Sequence, residues 1–229
     1  MKRSSGGFTL LEIAVVLVII GLLLGGVLKG QELISSARVR NFIAQQEGVK
    51  TAFFGFQDRY RAYPGDYSTA STNINCGAVA CLNGNGNGMI EAPNLSALQE
   101  DILVWSHLSA AGFITGSYTM TDPTIGAPDP TNTPTNPYGV FLSLAYENNW
   151  GQAGNSINRH NLKTGNQVPV EILAEVDRKI DDGLPYTGSF QFSTYSPTGA
   201  NLPNRATCVQ TPDWNIRGGD ANCGATSLF

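Results

Sequence analysis

The stretch that decides the fold is residues 1–28, MKRSSGGFTLLEIAVVLVIIGLLLGGVL. A short basic leader ends at Gly7, and the chain then runs apolar from Phe8 to Leu28 with a single charged residue, Glu12. At about 1.5 Å of rise per residue, a helix of this length can span a bilayer. A carboxylate inside such a span is costly to insert and therefore indicates a functional contact. If the chain is cut after Gly7, the new α-amine of Phe8 is a cation with which Glu12 of a neighbouring copy can pair.

This N-terminus resembles that of the type IV prepilin and type II secretion pseudopilin family. The family motif is a basic leader, a small residue at the cut site, the run Phe-Thr-Leu-Leu-Glu and an apolar helix, which here correspond to Lys2, Arg3, Gly7, Phe8, Thr9, Leu10, Leu11 and Glu12. The resemblance implies that a prepilin peptidase cuts after Gly7 and N-methylates Phe8. It further implies that Glu12, the fifth residue of the mature chain, pairs with the N-terminus of another subunit during assembly.

An ordinary secretory signal and a simple membrane anchor both fit this stretch less well. A secretory signal has an apolar core of about 7–15 residues with its cleavage site after that core. Here the apolar run is longer and Gly6-Gly7 precede it, so cleavage leaves the helix attached. A simple membrane anchor requires neither Glu12 nor a glycine before the helix. The N-terminus therefore favours the pilin-type family over both.

The sequence predicts an α+β protein in three parts: a leader at 1–7, a long helix at 8–60 with its membrane-spanning portion at 8–28, and a head domain at 61–229. The outer half of the helix carries one apolar face, formed by Phe42, Val49, Phe53, Phe56 and Tyr60. A solvated side is expected from Arg38, Arg40, Gln45, Gln46, Glu47 and Lys50. Pro64 follows and predicts the end of the helix. Gly25, Gly26 and Gly30 either let the helix bend or allow close helix–helix approach.

The net charge of the chain limits the partners expected for it. The formal net charge is −4, and losing Lys2 and Arg3 with the leader lowers it to −6, so no nucleic-acid binding is expected. Four cysteines behind an export-type N-terminus favour disulfides. They allow three pairings, of which the most local is preferred: Cys76 with Cys81 and Cys208 with Cys223.

A run of alternating asparagines and glycines, Asn83 to Glu91, is the candidate metal site. Oxygen-bearing side chains at its positions 1, 3 and 5 and a glycine at position 6 match the first half of an EF-hand calcium loop. The expected ligands are Asn83, Asn85, Asn87, the Met89 carbonyl and Glu91, with Asp66, Glu100 or Asp101 supplying charge. Position 12 is Asn94 rather than a bidentate glutamate. The alternative is a series of Asn-Gly turns, because both residues tolerate left-handed backbone geometry.

The rest of the head is expected to alternate short elements with loops. Apolar periodicity predicts helices from about Asn94 to Ala111 and from about Val168 to Asp182. Strands are predicted at 138–146 and 188–195, and an exposed loop at 120–137. His107 is expected to be a rim or satisfied core residue, and His160 has no spaced partner for a transition metal. A solvated face is expected from Glu175, Asp177, Arg178, Lys179, Asp181 and Asp182, with the last two side chains diverging.

No catalytic constellation appears, so the chain is not expected to be an enzyme. The resemblance implies a structural filament subunit, either of a surface pilus or of a secretion pseudopilus. Its expected partners are copies of itself or related pilins, the prepilin peptidase, inner-membrane assembly machinery and the membrane. The precursor is expected in the inner membrane with its head in the periplasm. The alternative is a membrane-anchored, calcium-dependent binding module outside the cytoplasm.

Overall fold

The structure is a computed structural model that describes residues 9–77, 81–91, 99–122, 127–152 and 157–229. The chain divides into two compact units, one ending at Arg38 and the other running from Val39 to Phe229. A long apolar N-terminal helix is followed by a head with short helices and an antiparallel sheet, which confirms the predicted α+β fold. The elements in chain order are α1 (Leu10–Tyr60), α2 (Ala70–Asn73), α3 (Glu100–Ala110), β1 (Ser143–Glu147), β2 (Arg159–Lys163), α4 (Val170–Ile180), β3 (Phe190–Phe192), α5 (Arg205–Cys208), β4 (Val209–Gln210), β5 (Asp213–Trp214), a 3₁₀ turn (Ile216–Gly218) and β6 (Ala225–Leu228).

Helix α1 is uninterrupted over its 51 residues. It ends at Tyr60, which confirms the predicted end. Gly25, Gly26 and Gly30 are all helical, and a side chain at any of them would meet no other atom within 4 Å. The helix stops because Arg61 adopts the left-handed conformation, with φ of 56°, and because Pro64 disfavours helical geometry before it. The helix therefore continues through these glycines without a break.

The head is built on a four-stranded antiparallel sheet in the order β1-β2-β6-β3. Strands β1 and β2 pair over their full length, from Ser143 opposite Lys163 to Glu147 opposite Arg159. Strand β6 bonds to β2 on one edge and to β3 on the other. The last strand of the chain therefore lies inside the sheet.

The outer half of α1 is a core element of the head. Val39 and Phe42 belong to a cluster with α4 and β3, while Phe53 and Phe56 belong to a second cluster with α3, β1 and β2. The predicted apolar face is confirmed for Phe42, Val49, Phe53 and Phe56, which are all buried, and Tyr60 is partly buried against the second cluster.

Gln46 lies on this buried face, and its expected place on the solvated side is wrong. The residue is 0% exposed, and neither atom of its amide has a hydrogen-bond partner in the described part of the chain. Helical geometry explains the position, because Gln46 follows Phe42 by four residues and precedes Phe53 by seven. In the neighbouring Gln45 only Oε1 is without a described partner, because Nε2 donates to the Thr135 carbonyl at 2.7 Å.

Replacing Gln46 with methionine is expected to stabilise the head by about 1–3 kcal/mol, because it exchanges an unpartnered amide for an apolar side chain of similar length. For a chain of this size, the melting temperature should rise by a few degrees, measured by circular dichroism in detergent micelles. Gln45→Met is the matched control. It removes a hydrogen bond that exists, so its melting temperature should stay level or fall. A Gln46→Met protein that melts below the wild type would contradict the expectation.

Two further expectations of exposure are wrong. Asp177, expected on the solvated face of α4, is 0% exposed and accepts a hydrogen bond from Trp214 Nε1 at 2.7 Å. Asn136, within the segment expected to be an exposed loop, is also buried. Its Nδ2 donates to the Thr164 carbonyl at 2.8 Å, and its Oδ1 accepts from the Val140 amide at 3.0 Å. In both places a polar side chain is buried because partners from distant segments satisfy it.

Several predicted elements are present in shorter form. Helix α3 begins at Glu100, and its predicted start at Asn94 lies outside the described residues. The strand predicted at 138–146 appears as β1, and the one predicted at 188–195 appears as β3. Strands β2 and β6 were not predicted, because their sequences lack an alternating apolar pattern.

The structure joins Cys76 to Cys81 and Cys208 to Cys223, the local pairing that the sequence favours. The first bond closes a short loop after α2. The second ties α5 to the segment before β6, where the amide and carbonyl of Cys223 bond to the carbonyl and amide of Val168 at 3.0 and 3.1 Å. The second disulfide therefore anchors the C-terminal loop to the body of the head.

Candidate functional site

Thr9 and Glu12 build the first turn of α1. The amide and hydroxyl of Thr9 donate to Glu12 Oε2 at 2.8 and 2.9 Å, and the Glu12 amide donates to Thr9 Oγ1 at 3.2 Å. This reciprocal pair is a capping box, which satisfies amides that the first helical turn leaves without partners. The role was missed in the sequence, although a threonine followed three residues later by a glutamate is its usual signal.

The capping contact leaves part of the Glu12 carboxylate available. Both bonds that it accepts from Thr9 use Oε2, so Oε1 can accept from a donor on another chain. Glu12 is also the single charged residue between Phe8 and Leu28. Gly7 and Phe8, the predicted cleavage and N-methylation positions, lie outside the described residues.

The inner part of α1 presents an unburied apolar surface. Every residue from Leu10 to Leu28 is exposed. No part of the most apolar stretch of α1 is buried by the rest of the described chain. By length and composition this helix can cross a membrane. The first charged residues beyond the apolar run, Lys29 and Glu32, form an ion pair at 2.7 Å. A contiguous apolar surface of this size indicates a lipid or protein partner.

The predicted calcium loop, residues 83–91, is organised by two carboxylates from outside it. Asp66 comes from the turn that follows α1, and Glu100 begins α3. Each accepts two hydrogen bonds from backbone amides of the loop at 2.8–3.1 Å, from Asn87 and Gly88 to Asp66 and from Asn85 and Glu91 to Glu100. The amides of the loop therefore point toward acidic side chains that hold its shape.

Four of the five expected calcium ligands already accept hydrogen bonds from other groups of the protein. Oδ1 of Asn83 accepts from the Ser71 amide, and the Oδ1 atoms of Asn85 and Asn87 accept from the amides two residues further on, all at 2.8–2.9 Å. Glu91 Oε2 accepts from Asn85 Nδ2 at 2.8 Å. The contacts of Asn85 and Asn87 are those of the Asn-Gly turns that the alternative predicts.

Burial raises the pKa of Asp66, and it raises the pKa of Glu100 to about 7. The loop amides partly offset this effect, while the negative charge of Glu91 adds to it for both groups. Three carboxyl groups that repel one another therefore surround one loop.

Two other groups of side chains in the described part of the chain could hold a metal ion. Asp177, Asp181 and Asp182 each place one oxygen within 4.8 Å of the others, so the expected divergence of the last two is wrong. The second group, Cys208, Asp220 and Cys223, includes both cysteines of a disulfide. Neither group includes a residue of the 83–91 loop.

His107 is a satisfied core residue, as the sequence predicts. It is 0% exposed, its Nδ1 accepts from the Gly65 amide at 2.9 Å, and its Nε2 lies 2.8 Å from the Leu82 carbonyl. With Nδ1 accepting, the neutral ring carries its proton on Nε2 and donates it to Leu82. Burial lowers the pKa of His107 to about 4. The histidine thus joins the turn after α1 to the segment that leads into the 83–91 loop.

This pKa predicts that His107 favours the folded state less as the pH falls. The unfolded chain takes up a proton near the ordinary histidine pKa of about 6.5, whereas the folded chain takes it up near 4. The contribution of His107 to the free energy of unfolding is therefore complete above pH 6.5. It falls by about 3 kcal/mol as the pH drops toward 4. Glu100, Asp101 and Asp177 act in the opposite direction, because their pKa values are raised to about 7.

The variant His107→Gln separates the effect of the histidine on stability from the effect of these acids. The stability difference between the wild type and His107→Gln should shrink as the pH falls from 7 to 4.5, since glutamine does not titrate. Thermal melting of both proteins in detergent at the two pH values measures it. A difference that is constant with pH would show that His107 does not stay neutral in the folded state.

Comparison with known proteins agrees with the geometry of α1. Residues 2–28 match the family model of the prokaryotic N-terminal methylation motif. The curated proteins and the solved structures gave no match. Gly7, the predicted cut site, the helix-capping Glu12 and the unburied apolar helix all fall inside or directly beside the matched segment. The chain therefore carries the N-terminal signature of the type IV pilins and pseudopilins.

Proposed function

We propose that the chain is a structural subunit of a type IV pilus-like filament or a type II secretion pseudopilus. The observation that carries the proposal is the combination of an unburied apolar helix with one carboxylate in its first turn, within the matched methylation motif. The motif points to a structural subunit rather than an enzyme.

Processing would produce the assembling form. A prepilin peptidase would remove residues 1–7 and N-methylate Phe8, leaving a long helix at 8–60 and a head at 61–229. Before assembly, the helix would hold the precursor in the inner membrane with its head in the periplasm. Inner-membrane machinery would then transfer the helix from lipid into a bundle of identical or related helices.

The assembly contact would be an ion pair between Glu12 and the α-amine of Phe8 on an adjacent subunit. Oε1 of Glu12 supports this arrangement, because Thr9 occupies only Oε2. Apolar packing along residues 10–28 would supply the remaining attraction. The lack of side chains at Gly25, Gly26 and Gly30 supports close approach of a neighbouring helix.

Imaging of cells tests the proposal directly. If the chain is a pilus subunit, electron microscopy should show surface filaments on cells with the gene and none on cells without it. If it is a pseudopilus subunit, a secretion assay should show a block in cells without the gene, while surface filaments are absent from both. The first result assigns a pilus and the second a pseudopilus. Cells in which neither filaments nor secretion depends on the gene would contradict the proposal.

A calcium-dependent binding module is the second candidate function. The observation that favours it is the crowding of Asp66, Glu91 and Glu100 around the 83–91 loop, because a divalent cation would relieve their mutual repulsion. A site with so few charged ligands in its loop would bind weakly, with a dissociation constant of about 10⁻⁴–10⁻³ M.

Thermal melting of the full chain in detergent tests this candidate. Addition of 5 mM calcium chloride should raise the melting temperature above that measured with a chelator, and magnesium should raise it less. Glu91→Gln should reduce the rise without lowering the melting temperature in chelator. Identical melting with calcium and with chelator would end the calcium proposal and leave the filament proposal unaffected.

A further inference from the structure

The head contains a cavity of about 400 Å³ that the filament proposal does not use. Its walls come from the start of α3, from strands β1 and β2, and from the segment after β3. The volume lies in the range of small-molecule sites. Successive strand side chains face opposite ways, so the cavity lies on the face of β1 opposite Leu144, which packs with Phe53 and Phe56 of α1. The cavity is therefore on the side of the sheet that α1 does not cover.

One ion pair in the cavity is complete by itself. Lys163 Nζ lies 2.7 Å from Glu147 Oε1, and the two side chains are 3% and 9% exposed. Lys163 also donates to the Asn149 carbonyl at 3.1 Å, and Asn161 Nδ2 donates to Glu147 Oε1 at 2.9 Å. Because the pair is neutral and its hydrogen bonds are made, it adds no net charge to the cavity.

Among the described residues that line the cavity, Asp101 is the acid without an ion-pair partner. The residue is 5% exposed, and its Oδ1 is buried without a hydrogen-bond partner among the residues that the structure describes. Burial raises the pKa of Asp101 to about 7; the charge of Glu100 adds to this, and the amides of Asp101 and Ile102 partly oppose it. When Asp101 is ionised, the described lining of the cavity carries one negative charge that no described cation offsets. A buried charge without a partner is costly, so a cation of suitable shape would be attracted to this position.

We propose that this cavity binds a primary alkylammonium group, such as the end of a lysine side chain, with Asp101 as its counter-ion. The apolar residues Pro128, Pro197 and Leu202 also line the cavity and would pack against the methylene groups of such a ligand. The ring of Tyr195, a further lining residue, would offer the ammonium a second attractive surface.

Binding would be coupled to a proton. Four described groups act on Asp101 or share its cavity: Glu100 on α3, Glu147 on β1, Lys163 on β2 and Tyr195 after β3. Glu147 and Lys163 neutralise each other, and burial together with the charge of Asp101 raises the pKa of Tyr195 further above neutral pH. The pKa of Glu100 is also raised to about 7, but Glu100 does not line the cavity. Among the described residues that line it, Asp101 is therefore the group that changes charge near pH 7, and an ammonium ligand would drive out its proton.

Isothermal titration calorimetry of the full chain in detergent micelles tests the proposal with n-butylammonium chloride. This probe stays protonated at pH 6 and at pH 8, whereas Asp101 passes from mostly neutral to mostly ionised. Affinity should be about tenfold higher at pH 8 than at pH 6. n-Butanol, which has the same chain without the charge, should bind at least about tenfold more weakly at pH 8 and show no pH dependence.

Asp101→Asn is the decisive variant, because asparagine keeps the shape and removes the charge. Its affinity for n-butylammonium at pH 8 should fall about tenfold or more, and proton release, measured in buffers of different ionisation enthalpy, should disappear. Asp213→Asn, at an exposed acid outside the cavity, is the matched control and should bind as the wild type does. Equal melting temperatures would show that both variants are folded.

Nα-acetyl-lysine methylamide distinguishes the source of the ammonium. If it binds as n-butylammonium does, a lysine of a protein, including a second copy of this chain, fits the cavity; if only n-butylammonium binds, the ligand is a free small amine. Either result supports the proposal. Absence of n-butylammonium binding, equal binding of n-butanol, or an Asp101→Asn protein that binds like the wild type would overturn it.

Discussion

Glu12→Gln is expected to stop incorporation of the chain into filaments while the helix start stays intact. Glutamine at this position can still accept a hydrogen bond from Thr9, because capping boxes use either residue. It has no charge to pair with the α-amine of Phe8 on a neighbouring subunit. Removing one partner of a charge pair held away from water leaves the other uncompensated, so filament mass per cell should fall about tenfold or more. Quantitative electron microscopy of sheared filaments measures the effect.

Two further variants separate the roles of Glu12. Glu12→Ala removes the cap and the charge, and it should also fail to assemble. Thr9→Ala removes the hydroxyl of the capping box but keeps the carboxylate, and it should assemble. Membrane fractionation should show all three proteins inserted. Normal filaments from Glu12→Gln would show that Glu12 acts through its cap alone, and the proposed assembly contact would be wrong.

Replacing both Cys208 and Cys223 with alanine is expected to lower the stability of the head by about 3 kcal/mol. The disulfide closes a loop across 15 residues, and cross-linking such a loop reduces the freedom of the unfolded chain by about this amount. The loop contains Trp214, whose Nε1 donates a hydrogen bond to the buried Asp177. A fall of about 6–12 °C in the melting temperature is expected, measured on the full chain in detergent under non-reducing conditions.

The other disulfide provides the control. Cys76 and Cys81 are only five positions apart, so the same model gives a smaller loss of about 2 kcal/mol for the double alanine variant. Cys76 is also partly exposed, whereas Cys208 and Cys223 are both 0% exposed. If removal of the Cys76–Cys81 bond destabilised the head more, the C-terminal loop would not be the main covalent constraint.

The long helix could be predicted from the sequence because its signals are local. The apolar run sets its inner half, and the spacing of Phe42, Val49, Phe53 and Phe56 sets the buried face of its outer half. Gln46 shows the limit of this reasoning. Its position on the helix places it in the core, but its polarity alone predicts solvent.

The head was predicted less completely because its polar residues are buried by partners far away in the chain. Strand β2 carries Asn161 and Lys163, which do not look like strand interiors, yet Glu147 of β1 satisfies both. Asp177 on α4 is buried by Trp214, 37 residues later. The asparagines of the 83–91 loop match half of a calcium motif, but the sequence gives no sign that Asp66 and Glu100 bind the loop amides. Such pairings depend on the tertiary fold.

In the proposed filament, the capping box at the start of α1 would also affect the entropy of polymerisation. Glu12 loses side-chain freedom on joining any ordered contact, and the bonds to Thr9 remove much of that freedom in the isolated subunit. The carboxylate is thus preorganised before two subunits meet. In the proposed filament, polymerisation would then begin from a carboxylate that is already ordered, and the entropy cost of ordering it would be met when each monomer folds.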